Sequence, residues 1–233
     1  MTSEIRAVFF DAGNTLLHPK LEVVIEGLSS LGYSAKLEDF DDSERIGKRA
    51  LEEWLWPLIR KGEIPKMVDP FYWRAYLEHL VARLGVPEEK RPEMMISIAN
   101  HYREIELWAR VTPETAPTLS ALKAKGYSLG VISNSIGTIE DQLRRSGLRD
   151  YFSTVLDSAL VGVEKPHPRI FELALERAHC KASESVFIGD NYAIDVGGAE
   201  LAGWRGILLD RVGAYPEADC PRINSLAEVP QVI

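Results

Sequence analysis

Cysteine is scarce in this chain, with only Cys180 and Cys220 among 233 residues. Two thiols cannot staple a fold of this length, so a disulfide scaffold is not expected and both should be reduced, structural residues. Long apolar runs are also missing. No window of about 18 apolar residues occurs, which argues against a membrane-spanning helix. Residues 1–10 lack the apolar stretch and cleavage site of a secretory signal, so a cytoplasmic protein is expected. No cluster of Lys and Arg stands out, and the formal net charge is -8. An extended basic surface for nucleic acid is therefore not expected. The negative sign does not exclude a phosphorylated substrate, because a bound cation and a few local donors can reverse the potential inside a pocket. There is no internal repeat and no low-complexity tract, and nothing in the sequence addresses oligomeric state.

What is present is enough apolar material, 45% of residues, for one sizeable core or two unequal ones. Short apolar runs at residues 5–10, 128–132 and 186–188 read as buried strands. Each ends in polar residues: Asp11-Ala12-Gly13-Asn14, Ser133-Asn134-Ser135 and Gly189-Asp190-Asn191. Helical patterns lie at 117–125, 136–146, 168–178 and 196–202, and Gly126, Gly147 and Gly203 stand where C-terminal caps would. Alternating strands and helices imply an α/β fold, a Rossmann-like parallel sheet with helices on both faces. Ligands of such sheets bind beyond the carboxyl ends of the strands, where the polar clusters fall.

Residues 18–110 differ. Helical periodicity at 22–31, 42–60, 70–84 and 91–106 is punctuated by Pro57, Gly62, Pro65, Pro87 and Pro92, with no convincing strand. This reads as an inserted α-helical cap domain, leaving 1–17 and 111–233 as the core. Placed directly after the first strand, the insert would sit over the open end of the sheet and could close it, with domain motion admitting substrate and then excluding water.

The strand ends would deliver Asp11, Ser133 and Asp190 to one edge, with Asp195 five residues after Asp190 and Lys165 in the loop Gly162-Val163-Glu164-Lys165-Pro166. Three carboxylates gathered within a few ångströms would raise at least one pKa sharply unless a cation intervened. Magnesium suits such an oxygen-rich site. A carboxylate at the exit of the first strand could attack phosphorus and form an aspartyl phosphate. Lys165 would then neutralise phosphoryl charge, and the Ser133 hydroxyl with nearby backbone N–H groups would bind its oxygens. A helix starting near Ile136 would add its positive end.

The segments Phe9-Phe10-Asp11-Ala12-Gly13-Asn14-Thr15-Leu16, Val131-Ile132-Ser133-Asn134, Gly162-Val163-Glu164-Lys165-Pro166 and Gly189-Asp190-Asn191-Tyr192-Ala193-Ile194-Asp195 resemble, in order, the four motifs of haloacid dehalogenase-like hydrolases. The resemblance covers roughly 1–17 and 111–210, and the position of the helical insert is similar to one of the family's cap types. It implies Asp11 as nucleophile and metal ligand, Asp190 as the second metal carboxylate, the Gly13 carbonyl as a third ligand and Asp195 as an outer or water-mediated partner. Ser133, Asn134 and Lys165 resemble the family's phosphate-binding groups. The implied cofactor is Mg2+ and the implied substrate a small phosphorylated metabolite.

One position departs from this pattern. Phosphatases of the family place a second aspartate two residues after the nucleophile, and here that residue is Gly13. A positioned general acid/base is worth about 10²- to 10⁴-fold in rate. Three readings follow. The first is a phosphatase or phosphotransferase that acts on good leaving groups such as acyl phosphates or recruits its acid elsewhere, with His18 the most suggestive substitute; otherwise His18 is a solvated loop residue beside Pro19. The second is dehalogenase or phosphonatase chemistry. Dehalogenases of the family typically have Tyr at the Gly13 position, and a phosphonatase needs a cap lysine, yet Lys20, Lys36, Lys48, Lys61 and Lys66 read as surface residues. The third is a catalytically weak or inactive phosphate-sensing or partner-binding homologue.

The insert holds four of the five tryptophans, Trp54, Trp56, Trp73 and Trp108, together with Phe71, Tyr72, Tyr76 and Tyr102. Trp73, Tyr76, Leu77 and Leu80 recur at helical spacing, so a small core of the insert itself is preferred over a stacking surface for substrate. His79 and His101 lack metal-ligand spacing. Asp39, Asp41, Asp42 and Glu44 read as helix-start charges, and Ser225-Leu226-Ala227-Glu228 as a capping box.

Overall fold

Strand β1 (Ala7–Phe10) runs into a tight turn and then β2 (His18–Pro19). Helices α1 (Leu21–Ser30), α2 (Leu37–Ile59), α3 (Asp69–Arg83) and α4 (Arg91–Tyr102) follow. Next come β3 (Trp108–Arg110), α5 (Thr115–Ala124), β4 (Ser128–Ser133), α6 (Ile139–Arg145), β5 (Thr154–Asp157), α7 (Ser158–Val161), α8 (Pro168–Ala178) and β6 (Ser185–Gly189). A turn of π-helix (Tyr192–Gly197), α9 (Gly198–Leu201), β7 (Arg205–Leu209), β8 (Arg222–Ile223) and α10 (Val229–Val232) complete the chain. This computed structural model describes residues 4–65, 69–102 and 107–233, with backbone alone at 69–71 and 101–102. Lys66 and the expected helix end at Glu106 lie outside the described residues, as do the side chains of Phe71, His101 and Tyr102.

Six strands form one parallel sheet in the order β5-β4-β1-β6-β7-β8. The chain builds outward from β1 through β4 to β5, then returns to β1's other edge and builds through β6 and β7 to β8. That reversal puts the carboxyl ends of β1, β4 and β6 side by side, the place where such sheets bind ligands. Register is tight at the centre, with Phe10 opposite Val131 on one side and Ile188 on the other.

Side chains alternate across the sheet with the strand period of two. Val8 and Phe10 face a core with Leu119 and Leu122 of α5, Ile139 and Leu143 of α6, and Val229 of α10. Ala7 and Phe9 face the opposite core with Ile170, Phe171 and Ala174 of α8, Ala199 of α9, and Trp204. There Phe9 and Trp204 meet edge to face at 5.0 Å and Phe171 and Phe187 at 5.2 Å, the arrangement the ring quadrupoles favour. Helices therefore cover both faces, as the alternating pattern implied.

The described chain divides into two units. One comprises Met1–His18, Val111–Arg211 and Glu217–Ile233, and the other Pro19–Arg110 with Val212–Pro216. The helical unit has its own apolar centre, built from Val24, Leu28, Phe40, Tyr76, Leu77, Leu80, Val81 and Ile98, with Trp73 packed at its edge. The segment 212–216 goes with it because Arg45 Nε donates to the Val212 carbonyl at 2.8 Å and Arg49 Nε to that of Ala214 at 3.3 Å.

Several expectations from sequence need correction. Strand β3 lies in a stretch expected to be wholly helical, and it pairs with β2 as a two-stranded ribbon. His18 is in that ribbon and 5% exposed, so it is not a solvated loop residue. Lys48 is not a surface lysine either, being 1% exposed and paired with Glu44 at 2.6 Å. Helix α2 starts at Leu37, ahead of the expected start at 42, and Pro57 falls within it as the expected run to 60 implied. It lies inside the last turn of α2 with an exposed ring, where the missing N–H removes one hydrogen bond from a helix already propagated. Residues 196–202 are split between the π turn and α9. Gly126, Gly147 and Gly203 do have the left-handed backbone of C-terminal caps, with φ of 90°, 70° and 77°.

Gly130 of β4 tests the packing on the Phe9 face. A Cβ there would stand 2.2 Å from the Phe9 ring, which is itself buried and packed edge to face against Trp204. Gly130→Ala should destabilise the protein by at least about 1–3 kcal/mol, the usual cost of overpacking, measured by denaturant unfolding at constant m-value.

Candidate active site

Asp11 follows β1 directly. Its N–H donates to the Ile188 carbonyl at 2.8 Å, so the sheet ladder extends to the carboxylate-bearing residue. The next residues fold back on themselves. Leu16 and Leu17 donate to the Ala12 carbonyl, each at 2.9 Å, and Asn14 donates to Leu17 at 2.8 Å. Asn14 takes the left-handed conformation this turn requires, φ 53°, which asparagine tolerates better than most residues. Gly13 bridges Leu17 within the same turn.

Asp190 follows β6, and the π turn brings Asp195 back against the strand end. A Cβ on Gly189 would stand 2.3 Å from the Asp195 side chain, so this close approach depends on glycine. The Asn191 N–H donates to Asp195 Oδ2 at 2.9 Å, which fixes the carboxylate from its own turn. One oxygen from each of Asp11, Asp190 and Asp195 lies within 4.8 Å of the others, and all three residues are buried.

Lys165 enters the same cluster from the loop before α8. Its Nζ donates to Asp11 Oδ1 at 2.6 Å and to Asp195 Oδ1 at 2.7 Å, and the side chain is 2% exposed. The ammonium also lies 5.0 Å from the centroid of the Phe187 ring. Asn134, just past β4, holds the lysine's backbone from both sides: its Nδ2 donates to the Lys165 carbonyl at 2.9 Å and its Oδ1 accepts the Lys165 N–H at 2.8 Å. The Asn134 amide is thus engaged with the lysine backbone. Ser133, 5% exposed, ends β4 opposite Asp157 in β5.

Asp157 was not singled out in the sequence. Its carboxylate accepts from the N–H groups of Gly137 at 3.0 Å, Ala159 at 3.1 Å and Ile139 at 3.2 Å. This is why α6 begins at Ile139 and not near Ile136, and why the first donors of that helix are already taken. Ser158 adds a reciprocal pair of 3.1 Å hydrogen bonds with the Ser135 backbone. An Asp at the end of an apolar run, ahead of a helix, was the available signal.

The electrostatics follow from burial. Loss of water pushes the Asp11 carboxyl up from 3.8 to about 7; Lys165 pulls it down, while Asp195 and Asp190 push it further up. Asp195 is raised for the same leading reason, again opposed by Lys165. Burial lowers the Lys165 pKa, but its two carboxylate partners outweigh this and hold the ammonium above its ordinary value. One ammonium among three carboxylates leaves two negative charges when all are ionised. A hard divalent cation offers compensating charge, and the donors are all oxygens, so this buried cluster could hold one.

Residues 5–203 match the family model described as haloacid dehalogenase-like hydrolase. A glyceraldehyde 3-phosphate phosphatase of Methanothermobacter thermautotrophicus is 34% identical over 95% of this chain and 93% of its own length. A phosphoserine phosphatase of Thermus thermophilus is 34% identical over 75% and 69%. An (S)-2-haloacid dehalogenase of Burkholderia cepacia is 29% identical over 98% and 95%. Among solved structures, an HAD phosphatase from Thermococcus onnurineus superposes with a TM-score of 0.59 and 25% identity over 98% of this chain and 97% of its own. With a family model spanning most of its length and relatives of this similarity, the chain belongs to the haloacid dehalogenase-like hydrolases.

Proposed function

We propose that this hydrolase is a magnesium-dependent phosphatase of a small phosphorylated metabolite, working through an aspartyl phosphate on Asp11. The observation that carries the reading is the buried cluster of Asp11, Asp190, Asp195 and Lys165, whose two surplus negative charges call for a cation. Two further aspartates buried beside a carboxylate nucleophile add negative charge that a divalent cation would compensate. The relatives named as phosphatases of glyceraldehyde 3-phosphate and phosphoserine agree with a compact phosphorylated substrate.

Asp11, Asp190 and Asp195, with the Gly13 carbonyl, would hold the magnesium, which when bound supplies positive charge against the phosphoryl oxygens. Lys165 ties down Oδ1 of Asp11, leaving Oδ2 to attack phosphorus. A phosphorus–oxygen bond forms at Asp11 as the bond to the leaving oxygen breaks. Lys165 and Ser133 take the charge on the transferring group. Water then attacks the acyl phosphate, and inorganic phosphate leaves with Asp11 restored.

Two proton transfers remain, one to the leaving oxygen and one from the attacking water. Gly13 has no side chain for either, and His18 in β2 is the candidate substitute.

In a screen of phosphorylated metabolites with magnesium, Asp11→Asn should lower the best activity by about 10⁴-fold or more; activity that survives the change would sink the mechanism. Gly13→Asp should raise turnover by up to about 10²- to 10⁴-fold if proton transfer limits the natural protein. His18→Ala should flatten one limb of the pH–rate profile, and an unchanged profile removes His18 as the acid.

Magnesium affinity should also depend on pH. Without a cation the Asp11 pKa is raised to about 7, so below that pH binding must expel a proton. The folded, metal-free site holds this proton and the bound site does not. Affinity should therefore fall by up to about tenfold per unit as pH drops below 7, and level off above it. Calorimetric titrations from about pH 5 to about pH 9 would show this, and equal affinities throughout would remove Asp11 from the ligand set.

A further inference from the structure

The π turn that carries Asp195 is a rare conformation, and such turns last only where their surroundings hold them. Tyr192 opens it, two residues after Asp190 and three before Asp195. Its ring is buried, 6% exposed. Its hydroxyl donates to Oδ1 of Asp219 and accepts the Asp219 backbone N–H at 3.3 Å.

Asp219 is exposed, but its backbone is anchored. Two residues on, the Pro221 carbonyl accepts the Leu208 N–H at 2.9 Å, and Arg222 and Ile223 then pair with β7. The chain just beyond Asp219 is thus tied to the sheet edge by contacts separate from the Lys165 network. On the other side of Tyr192, the adjoining residue Asn191 supplies the N–H that orients Asp195. Whatever fixes the Tyr192 side chain therefore fixes the backbone between the two aspartates.

We propose that Tyr192 and Asp219 are positioning residues for the metal centre. Their hydrogen bond pins the start of the π turn, so that Asp190 and Asp195 already converge before a cation binds. The inference rests on the reading that the three aspartates hold magnesium. Partners that orient metal ligands from outside the coordination sphere commonly change affinity by about 10- to 100-fold. Because Asp219 competes with water for the phenol, the lower end applies here.

The test is calorimetric titration of the whole chain with magnesium chloride, with melting temperatures recorded in chelator. Tyr192→Phe and Asp219→Ala should each weaken magnesium binding about tenfold. The double variant should be no weaker than Tyr192→Phe alone, since the phenol–carboxylate hydrogen bond is already lost there. Asp219→Asn should recover most of the affinity, because its amide oxygen still accepts from the phenol. A pair that served only the fold would lower the melting temperature and leave affinity unchanged, which overturns the proposal. If Tyr192→Phe does not fold, Asp219→Ala against Asp219→Asn decides, and equal affinities overturn it. A wild-type chain that binds no magnesium overturns the metal reading as well, a result distinct from a wild type and variants that bind alike.

Discussion

The Lys165 ammonium, buried between Asp11 and Asp195, is the contact on which the site depends. A charge removed from water is tolerated only when paired and fully hydrogen-bonded. Here the pairing spans the loop before α8, the end of β1 and the π turn after β6. Each of these must be placed for the other two to be satisfied. Removing one member of such a buried set typically costs about 3–5 kcal/mol, because the remaining charge loses its partner. Asn134 and Gly189 belong to the same constraint. The first sets the lysine's backbone, and the second leaves room for Asp195 to approach the strand end.

The sheet makes this convergence possible without strain in the strands themselves. Because β1 is flanked by β4 and β6, residues more than a hundred positions apart arrive at one edge. Because the strands are apolar on both faces, packed helices fix them from either side. A rigid platform presenting loops is the usual way a fold separates stability from chemistry. Asp157 shows the division at small scale. Its carboxylate contributes nothing to the charge cluster, yet it organises the loop after Ser133 and Asn134 and sets the start of α6.

Legibility in the sequence tracked how local each signal was. Asp11, Asp190, Asp195 and Lys165 were readable because each stands at the end of an apolar run or in a loop with turn chemistry, and the alternation of runs and helices orders those ends. The reciprocal Asn134–Lys165 clamp was not readable, since it joins residues 31 apart through backbone atoms that no pattern marks. Strands β2 and β8 are two residues each and carry no periodicity. The burial of His18 and Lys48 was missed for a related reason. Polar residues are judged exposed by default, and only tertiary packing overrides that.

Fold and ancestry do not choose between the chemistries this family carries, for relatives named as phosphatases and as haloacid dehalogenases both span nearly the whole chain. The charge balance of the site bears on that choice. A carboxylate that attacks carbon needs to be ionised and accessible, and one lysine partner achieves this. Here burial raises the Asp11 pKa to about 7, with Lys165 lowering it and the two other aspartates raising it further. A divalent ion bound there would displace the proton and leave Asp11 charged. Gly13 then acquires a definite place in the argument. Its absence of a side chain touches neither the charge balance nor the lysine bridge, so it affects how protons move and not how phosphorus would be bound. On the proposed phosphatase reading, the cluster of Asp11, Asp190, Asp195 and Lys165 would serve phosphoryl transfer, and the acid and base are the roles that Gly13 leaves open.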